Sequence, residues 1–433
     1  MIQNLDLSKI KKIFFIGIGG IGISALAKMA LAKGMVVSGL NDEEGKTIDS
    51  LRETGVEIIF LKDFKLLPEA DLYVYSDAWL YRGPEILQKA KETGKPVLSY
   101  FEALGQFAKD YKVIAIAGTH GKTTTTAMVA EILVDAGLDP TVIVGSFVKK
   151  FGSNFRKGNS EYLVVEADEY NRHFLNFHPF VTVVMNIETD HLDCYKDLAD
   201  IQNAFDKLLS QSENKITDYA KYLEKIPKLS VPGIHNRMDA AAAFAVAEFL
   251  NIKEEIIKNS LTGFVGTWRR LEKKGVTKEG TIIYDDYAHH PTEVRASLEA
   301  LRELYPHTND IGVGVYPKEA KNITVLFQPH LYSRTKALFN EFVTCFDEAD
   351  KVFLLPIYFA RENPDPEISS EKLALAIKDH KGEATAFKDF ISAEEVIGGL
   401  KLSSKDIFVT MGAGEAYKVA EKVFPDVKSG PRP

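Results

Sequence analysis

The sequence predicts an α/β protein of three domains, each built on a mainly parallel sheet with flanking helices. The chain has 433 residues, which is too many for a single hydrophobic core. Short apolar runs alternate with helical patterns in three regions, as is typical of parallel sheets. We place the domain boundaries near 108 and 270, so that the predicted domains are 1–108, 109–270 and 271–433.

The first region begins with IFFIGIGGIGIS, which is the pattern of a strand, a glycine-rich turn and a helix. Its glycines have the spacing of a dinucleotide-binding turn, and Asn41 and Asp42 follow at the expected distance. Such a turn brings the backbone close to a pyrophosphate at a helix N-terminus. Three interpretations are open at this point: an NAD site, a site for a UDP-sugar with the same pyrophosphate, and a turn with a purely structural role.

The second region, VIAIAGTHGKTTTTAMVAEILVDAG, places a GKT triplet between an apolar strand and a helix. Backbone N–H groups of such a turn can point at phosphate oxygens, Lys122 would reach the β- and γ-phosphates, and Thr123 would bind Mg²⁺. The usual G-x-x-x-x-G-K-[ST] spacing is not met, because Ile116 stands at the first glycine position. A glycine turn with an incidental lysine is the competing interpretation, but it leaves the strand, the triplet and the helix unexplained. We therefore expect Lys122 to serve phosphoryl transfer and not folding.

Two acidic clusters follow predicted strands downstream of the GKT triplet. Glu166 ends the run YLVVE, and His191 lies in NIETDHLD after the run VTVVM. The carboxyl ends of parallel strands share one edge of a sheet, where ligands bind in open α/β folds. Oxygen ligands suit Mg²⁺, and a histidine can complete the shell. Each cluster alone would be read as a solvated loop, but two of them beside a phosphate loop predict a metal site.

The third region, from about 280, alternates predicted strands at 323–327 and 351–357 with a predicted helical stretch at 333–349. Residues 306–322 are polar and rich in glycine, and we predict a surface loop there. The alternation predicts a third sheet with helices on both faces.

The composition excludes several classes of protein. A net charge of −8 argues against a nucleic-acid-binding protein, which usually carries a basic excess. Cys194 and Cys345 lie far apart in the sequence and form no CxxC pair. We therefore expect no disulfide scaffold, and we expect the protein to reside in a reducing compartment. No apolar run approaches the roughly 20 residues of a membrane span. The start MIQNLDLSKIKK lacks the apolar core of a signal peptide. We predict a cytoplasmic protein with no membrane span and no nucleic-acid partner.

Eight motifs together resemble those of the Mur ligases. They are GTHGKTT, VVEADEYNRHFL, NIETDHLDCY, PGIHN, FxGxxRR (264–270), DDYAHHPTEV (285–294), FQPHLYSRT (327–335) and MGAGEA (411–416). The motifs occur in the order of the family and cover nearly the whole chain. DDYAHHPT is a specific signal, whereas GxGxxG alone is a weak one.

The resemblance implies a Rossmann-like N-terminal domain for a UDP-sugar, a P-loop-type central ATPase domain and a Rossmann-like C-terminal lid for the amino acid. It implies an enzyme of peptidoglycan precursor synthesis that uses ATP and Mg²⁺. The reaction would add L-alanine to the carboxylate of UDP-N-acetylmuramic acid through an acyl phosphate. A carboxylate is a poor electrophile until one of its oxygens becomes a leaving group, which is why ATP is needed. Mg²⁺ and a lysine would neutralise the charge that develops during phosphoryl transfer.

The resemblance also implies roles for individual residues. ATP would be bound by Gly118, Thr119, His120, Gly121, Lys122, Thr123, Thr124, Asn236, Asp239 and Arg270. The UDP-sugar would be bound by Gly19, Gly20, Ile21, Gly22, Asp42 and Ser76, and the amino acid by Tyr287, His289 and Arg334. The metal ligands would be Thr123, Glu166 and His191, with Asn186 and Asp193 beside them. The residues implied in catalysis are Lys122, His191, His289 and Arg334.

The chain departs from the family pattern at several positions. Asp239 stands where a second asparagine is frequent, although an aspartate can still accept a hydrogen bond from an adenine amino group. Leu331 stands where many members have arginine, so the carboxylate of the amino acid would depend more on Arg334. Leu331 would either pack under the lid or favour alanine through a methyl contact. The stretch between Asp193 and Pro232 is shorter than the family leads us to expect.

Two other functions compete with this one. A murein peptide ligase would add a recycled tripeptide to the same UDP-sugar and has similar motifs. An inactive Mur-like binding protein is a second alternative, and the presence of Lys122, Glu166 and His191 argues against it. We expect a monomer or a homodimer.

Overall fold

The computed structural model describes residues 5–306, 321–360 and 362–427, so most of the loop predicted at 306–322 lies outside it. The described residues form three α/β units with mainly parallel sheets, which confirms the predicted fold class. Within those ranges, no helix is both long enough and apolar enough to cross a membrane.

The first unit is an all-parallel sheet with the strand order β3-β2-β1-β4-β5. Its elements are β1 (Lys12–Ile16), α1 (Ile21–Ala32), β2 (Val36–Asn41), α2 (Lys46–Glu53), β3 (Glu57–Phe60), β4 (Leu72–Tyr75), α3 (Trp79–Arg82), α4 (Pro84–Glu92), β5 (Val97–Ser99) and α5 (Tyr100–Ala108). Phe14, Phe15 and Ile16 of β1 are fully buried, as expected for a central parallel strand covered on both faces. The strand order reverses between β1 and β4, and the glycine turn that leads into α1 lies at this switch point, where such folds bind ligands.

The second unit has the strand order β11-β10-β6-β9-β7-β8 and is parallel except for the β7–β8 hairpin. Its elements are β6 (Lys112–Ala117), α6 (Lys122–Asp135), β7 (Thr141–Val148), β8 (Ser153–Arg156), β9 (Tyr162–Ala167), β10 (Val181–Val184), α7 (Leu198–Gln211), β11 (Asn214–Ile216), α8 (Ile234–Phe249) and α9 (Glu254–Gly263). Strand β6 lies between β9 and β10. The phosphate loop and the two acidic segments therefore follow the carboxyl ends of three adjacent strands and lie at the same edge of the sheet.

The third unit has the strand order β12-β13-β17-β14-β15-β16, with only β12 antiparallel to its neighbour among the described strands. Its elements are β12 (Glu272–Val276), β13 (Ile282–Asp286), α10 (Pro291–Leu304), β14 (Asn322–Phe327), α11 (Tyr332–Ala337), α12 (Phe339–Thr344), β15 (Lys351–Leu354), α13 (Ser370–Lys381), β16 (Ala384–Ala386), α14 (Phe390–Gly398), β17 (Asp406–Met411) and α15 (Ala416–Val423). The predicted helical stretch 333–349 is two short helices, because Leu338 leaves the helical region at φ −109° and ψ 27°. The predicted strand 351–357 ends at Leu354, two residues before Pro356, which has no N–H to donate to a sheet.

The first and second units are joined through buried polar contacts between α1 and the β7–β8 hairpin. Lys28 Nζ donates to Ser153 Oγ at 3.2 Å and to Asn154 Oδ1 at 3.1 Å. Asn154 Nδ2 donates in turn to the backbone oxygen of Ile21 at 2.6 Å. This contact ends on the first residue of α1, so it sets the position of the glycine turn relative to the second sheet.

Candidate active site

The phosphate loop occupies the turn between β6 and α6, and the segment after β10 holds it in place. Asn186 Oδ1 accepts from the backbone N–H of His120 at 2.8 Å, and Asn186 Nδ2 donates to the backbone oxygen of His120 at 3.2 Å. The backbone N–H of Glu188 donates to Thr119 Oγ1 at 2.9 Å. Gly121 has a φ of +83°, and a Cβ there would collide with the Asp239 carboxylate. The loop thus needs glycine at this position, and Asn186 clamps its backbone.

Lys122, the first residue of α6, turns its ammonium back toward the loop. Its Nζ donates to the backbone oxygens of Gly118 at 2.6 Å and Thr119 at 3.0 Å and forms an ion pair with Glu169 at 2.7 Å. Burial opposes the charge of Lys122, but the carboxylates of Glu169 and Asp168 outweigh it and raise the pKa of Lys122 above its usual value. The lysine is therefore a fixed cation at the mouth of the loop.

Thr123 and Glu166 meet at the start of α6. Thr123 Oγ1 donates to Glu166 Oε2 at 3.1 Å, and the backbone N–H of Gly145 donates to Glu166 Oε1 at 2.6 Å. Arg270 Nη2 donates to Thr123 Oγ1 at 3.0 Å. Burial raises the pKa of Glu166, and Gly145 and Arg270 oppose this shift. The hydroxyl and the carboxylate together offer hard oxygen atoms beside the lysine.

The predicted metal ligand His191 lies beside the carboxylates of Asp168 and Glu169, whereas the sequence analysis pairs it with Glu166. One ligand atom each from Asp168, Glu169 and His191 lie within 4.8 Å of one another. His191 Nε2 is 3.6 Å from Glu169 Oε1, while its Nδ1 is buried with no hydrogen-bond partner among the described residues. Glu166 is held instead by Thr123 and Gly145. The motif VVEADE therefore contributes Glu166 to one group of oxygen atoms and Asp168 and Glu169 to a second group with His191, whereas the sequence predicted Glu166 and His191 as ligands of the same ion.

The loop histidine links the second unit to the third. His120 Nδ1 is 3.1 Å from Glu293 Oε1, and His120 Nε2 is 3.4 Å from Glu188 Oε2. Burial opposes a charge on the ring, but the nearby carboxylates of Glu188 and Glu293 outweigh it and raise the pKa of His120 to about 9. Thr292 Oγ1 also donates to Glu188 Oε2 at 2.8 Å. No local sequence pattern indicates this bridge, because Glu293 lies 173 residues from His120.

A cavity of about 300 Å³ opens beside the loop, between α6, α8 and α10. Six of the predicted ATP-binding residues line it: His120, Gly121, Thr124, Asn236, Asp239 and Arg270. The apolar side chains in the lining are Met185, Met238, Leu271, Ala288 and Ala296, and the remaining lining residues are polar: Asn186, Glu188, Tyr219, His235, Asp286, Thr292, Glu293 and Ser297. A cavity that combines apolar surface with hydrogen-bonding groups suits a flat heteroaromatic base next to a phosphate loop.

Asp239 is buried in this cavity, where the family pattern favours asparagine. Its burial raises the pKa of the carboxyl to about 8, against the opposing charge of Arg270. At neutral pH the side chain is therefore mostly a neutral acid, which can both donate and accept a hydrogen bond as an amide does. This chemistry explains how an aspartate can occupy an asparagine position.

Asp239→Asn should stabilise the fold at pH 7.5 and have little effect near pH 4. The folded-state pKa of Asp239, about 8, lies above its usual value of 3.8, so its contribution to stability is full below pH 3.8 and is lost as pH rises toward 8. Asparagine stays neutral throughout, and the gain should be on the order of several kcal/mol, since one pKa unit is worth ~1.4 kcal/mol. Urea unfolding of both proteins across this pH range measures the difference. Exposed Asp218, replaced by asparagine, is the matched control; a gain for Asp239→Asn that does not change with pH would contradict the assignment.

A larger cavity of about 710 Å³ joins all three units. Predicted site residues that line it are Gly20, Ile21, Gly22, Ser76, Lys122, Thr123, Glu166, Arg270 and Tyr287. Gly22 is required by packing, because a Cβ there would lie 2.9 Å from the Tyr100 ring. Two predicted UDP-sugar residues do not line the cavity. Gly19 donates its N–H to Asn41 Oδ1 at 3.1 Å, and Asp42 forms an ion pair with Arg82 at 2.5 Å.

A histidine that the sequence did not single out closes one wall of this cavity. The His173 ring stacks on Phe101 with centroids 4.0 Å apart, and its Nε2 is 2.8 Å from Asp77 of the first unit. Its Nδ1 is 3.6 Å from Asp168. Burial opposes a charge on this ring, but Asp168 and Asp77 outweigh it and raise the pKa of His173 to about 9. His173 thus joins the wall of the first unit to the oxygen cluster of the second.

Arg334 is already paired with a carboxylate of the second unit. Its Nε and Nη2 donate to Asp190 at 3.0 and 3.2 Å, and both side chains are buried. Leu331 is buried beside this pair, as expected if it packs under the lid, and has a φ of +71°. His289 Nδ1 is 3.1 Å from the backbone oxygen of Tyr287, and burial lowers the pKa of His289 to about 4. The amino-acid residues implied by the sequence therefore lie near one another, with Arg334 bound to Asp190.

Comparison with known proteins gives a consistent result along the chain. Family models of the Mur ligases match residues 12–112 (Mur ligase family, catalytic domain), 116–228 (Mur ligase middle domain) and 269–414 (Mur ligase, glutamate ligase domain). The UDP-N-acetylmuramate–L-alanine ligase of Clostridium kluyveri is 37% identical over 469 residues, covering 97% of this chain and 99% of that protein. The enzyme of the same name from Lachnospira eligens is 38% identical over 476 residues, covering 98% and 100%.

Solved structures show the same similarity. The UDP-N-acetylmuramate–alanine ligase of Thermotoga maritima superposes with a TM-score of 0.77 at 26% identity, covering 96% of this chain and 98% of that one. A murein peptide ligase from Psychrobacter arcticus superposes with a TM-score of 0.67 at 21% identity, covering 96% and 98%, which shows a shared fold.

Proposed function

The chain belongs to the Mur ligase family, and we propose that it is an ATP- and Mg²⁺-dependent ligase that joins L-alanine to UDP-N-acetylmuramic acid in peptidoglycan precursor synthesis. The observation that carries the proposal is the cavity of about 710 Å³, which is lined by the glycine turn of the first unit, by Lys122 and by residues of the third unit. The names of the relatives similar over nearly the whole chain support L-alanine as the acceptor. The cytoplasm, which supplies ATP, is the proposed compartment.

The glycine turn suits the pyrophosphate of the UDP-sugar. Gly20 caps α1, and no side-chain hydrogen bond occupies this helix N-terminus. Its backbone N–H groups and the helix dipole can therefore act on a bound anion. An NAD site is the weaker reading, because hydride transfer would give the adjoining phosphate loop no role.

Phosphoryl transfer would take place where Lys122 faces the large cavity. The ammonium can neutralise charge on the γ-phosphoryl group during its transfer. The group would pass from ATP to an oxygen of the muramoyl carboxylate, which releases ADP and gives the acyl phosphate. Both groups of oxygen atoms fit magnesium: Thr123 and Glu166 would bind it at the start of α6, and His191 would bind it with Asp168 and Glu169 in the neighbouring group. Bound there, Mg²⁺ would supply further neutralisation of phosphate charge.

Amide formation would follow by attack of the alanine amine on the acyl phosphate, with release of inorganic phosphate. We propose that the departing phosphate takes up the proton that the amine loses, and that His289, which burial keeps neutral, orients the amine by accepting a hydrogen bond from it. Its Nδ1 faces the backbone oxygen of Tyr287 and must carry a hydrogen, so its Nε2 has a free lone pair. Arg334 is proposed to bind the alanine carboxylate, for which its planar fork is suited.

A phosphate-release assay with UDP-N-acetylmuramic acid, ATP and Mg²⁺ tests this function directly. L-alanine should support turnover, the tripeptide should support little, and reactions without an acceptor or with a chelator should show none. Heating with each ligand alone is a second measurement: the UDP-sugar at about 100 times its dissociation constant should add roughly 2.7 kcal/mol of stability, and NAD none.

Each contrary outcome has a distinct meaning. Faster turnover with the tripeptide would make the chain a murein peptide ligase. No turnover with any acceptor, together with stabilisation by the UDP-sugar, would identify an inactive binding protein. Stabilisation by NAD alone would overturn the assignment of the glycine turn.

A further inference from the structure

We propose that His235 is a positioning residue that fixes the orientation of the Asn236 amide, so that the nucleotide cavity selects a base with an amino group over one with a carbonyl. The inference rests on the proposed use of ATP. It concerns the choice between adenine and guanine, and it assigns that choice to a residue outside the phosphate loop.

The orientation of the Asn236 amide follows from its two neighbours on the first turn of α8. Asn236 Nδ2 lies 2.5 Å from the backbone oxygen of Pro232 and 3.0 Å from His235 Nε2. A backbone carbonyl offers only lone pairs, so the amide atom facing it must be the nitrogen and not the oxygen. The second hydrogen of the same nitrogen is directed at the His235 ring. Both donors of the amide are used, and Oδ1 remains for the cavity that Asn236 lines.

The His235 ring can accept this hydrogen only when it is neutral. With Nε2 as the acceptor, the hydrogen of the ring must be on Nδ1, which is buried with no partner among the described residues. Burial lowers the pKa of His235 to about 4, which keeps the ring neutral across the physiological range. An unpaired buried N–H is unfavourable for folding. The His235 ring in this position therefore lowers the stability of the fold, as expected for a residue whose role is to position another side chain.

The glycine before the helix makes room for this ring. Gly233 has a φ of +96°, and a Cβ there would lie 2.6 Å from His235 Cε1 and 2.7 Å from the Cβ of Ala300 in α10. The backbone at Gly233 thus lies against both the His235 ring and α10, and a larger residue there would displace the ring from its contact with Asn236.

The consequence for the base is a matter of donors and acceptors. Adenine presents an exocyclic amino group, which can donate to Asn236 Oδ1. Guanine presents a carbonyl oxygen at the same ring position, and two acceptors would then face each other. Sites that hydrogen-bond a substrate N–H discriminate strongly against analogues that lack it. Turning the amide nitrogen to the guanine oxygen would break the hydrogen bonds to both Pro232 and His235. Without the His235 acceptor only the bond to Pro232 opposes this rotation, and part of the discrimination would be lost.

The test compares two substitutions at His235 in the full-length protein. Gln places an oxygen close to where Nε2 lies and should keep the amide in place, whereas Phe fills the same space without an acceptor. We expect His235→Phe to lower the ratio of kcat/KM for ATP to kcat/KM for GTP by about tenfold or more. His235→Gln should keep that ratio within about threefold of the unsubstituted protein.

The readout separates positioning from a merely structural role. A structural defect would lower kcat/KM for both nucleotides and leave their ratio unchanged, and that result in His235→Phe would overturn the inference. If His235→Phe does not fold, His235→Asn, which is too short to reach the amide, gives the same comparison. Absence of phosphate release with either nucleotide in the unsubstituted protein would instead refute the proposed function.

Discussion

Replacing Lys122 by alanine should lower kcat for phosphate release by a factor on the order of 10³ or more. The ammonium is held by two backbone oxygens of the loop and by Glu169, so its positive charge is already in place when a phosphoryl group binds. A direct hydrogen bond to that group would replace one of these three contacts. Alanine removes this preorganised charge, and a water molecule in its place carries no charge that could neutralise the phosphoryl group. Steady-state phosphate release with saturating ATP, UDP-N-acetylmuramic acid and L-alanine measures the effect. Turnover near that of the unsubstituted protein would contradict the role.

The stability of this variant needs its own control, because Lys122 forms an ion pair with Glu169 and its removal is expected to affect folding as well as chemistry. Glu169 is buried, and loss of its partner leaves an uncompensated carboxylate, which typically costs about 3–5 kcal/mol. The double substitution Lys122→Met with Glu169→Gln removes both charges and should recover most of the lost stability. If kcat stays low in the double variant after unfolding has returned toward normal, the loss of activity belongs to the chemistry.

The fold followed from sequence where local pattern determines it. Strand, glycine turn and helix appear together at α1 and α6 because a parallel strand buried on both faces needs a continuous apolar run, and the sharp turn after it needs glycine. The stretch at 333–349 was harder to predict. Its apolar spacing fits one helix, but Leu338 takes a non-helical conformation, so the chain forms α11 and α12.

The site was predictable as far as chain order reflects strand order. Thr123 and Glu166 meet because β6 and β9 are neighbours, and the ends of parallel strands lie together. Contacts between domains have no such rule. Asp190 and Arg334 are 144 residues apart and His120 and Glu293 are 173 apart, so no local pattern pairs them. Whether a carboxylate of DHLD faces metal, substrate or lid depends on how the third unit docks.

Arg334 has two possible tasks, and the structure makes them separable. Its guanidinium binds Asp190 through two parallel hydrogen bonds, and its positive charge, against the effect of burial, lowers the pKa of Asp190. In this arrangement it fastens the lid to the second unit beside His191. The same planar fork would suit the carboxylate of L-alanine, and Leu331 offers no second guanidinium at the neighbouring motif position.

We expect Arg334→Ala to raise the KM for L-alanine by a factor on the order of 10² to 10³, since losing one partner of a buried charged pair costs about 2–5 kcal/mol. The KM for ATP should change by no more than about threefold, because Arg334 is not among the residues that line the nucleotide cavity. Arg334→Lys keeps the charge without the fork and should recover only part of the loss.

Asp190→Asn decides between the two tasks of Arg334. This change keeps the size of the side chain and removes the charge that competes for the guanidinium. If Arg334 binds the alanine carboxylate, Asp190→Asn should leave the KM for L-alanine within about tenfold, far from the effect of Arg334→Ala. If the pair serves only to fasten the lid, both substitutions should lower kcat to a similar extent, and combining them should add little, since each alone already breaks the contact. Initial rates over a range of L-alanine and ATP concentrations, for the two single variants and the double variant, separate these results. Equal losses with unchanged KM for L-alanine would remove Arg334 from the amino-acid site.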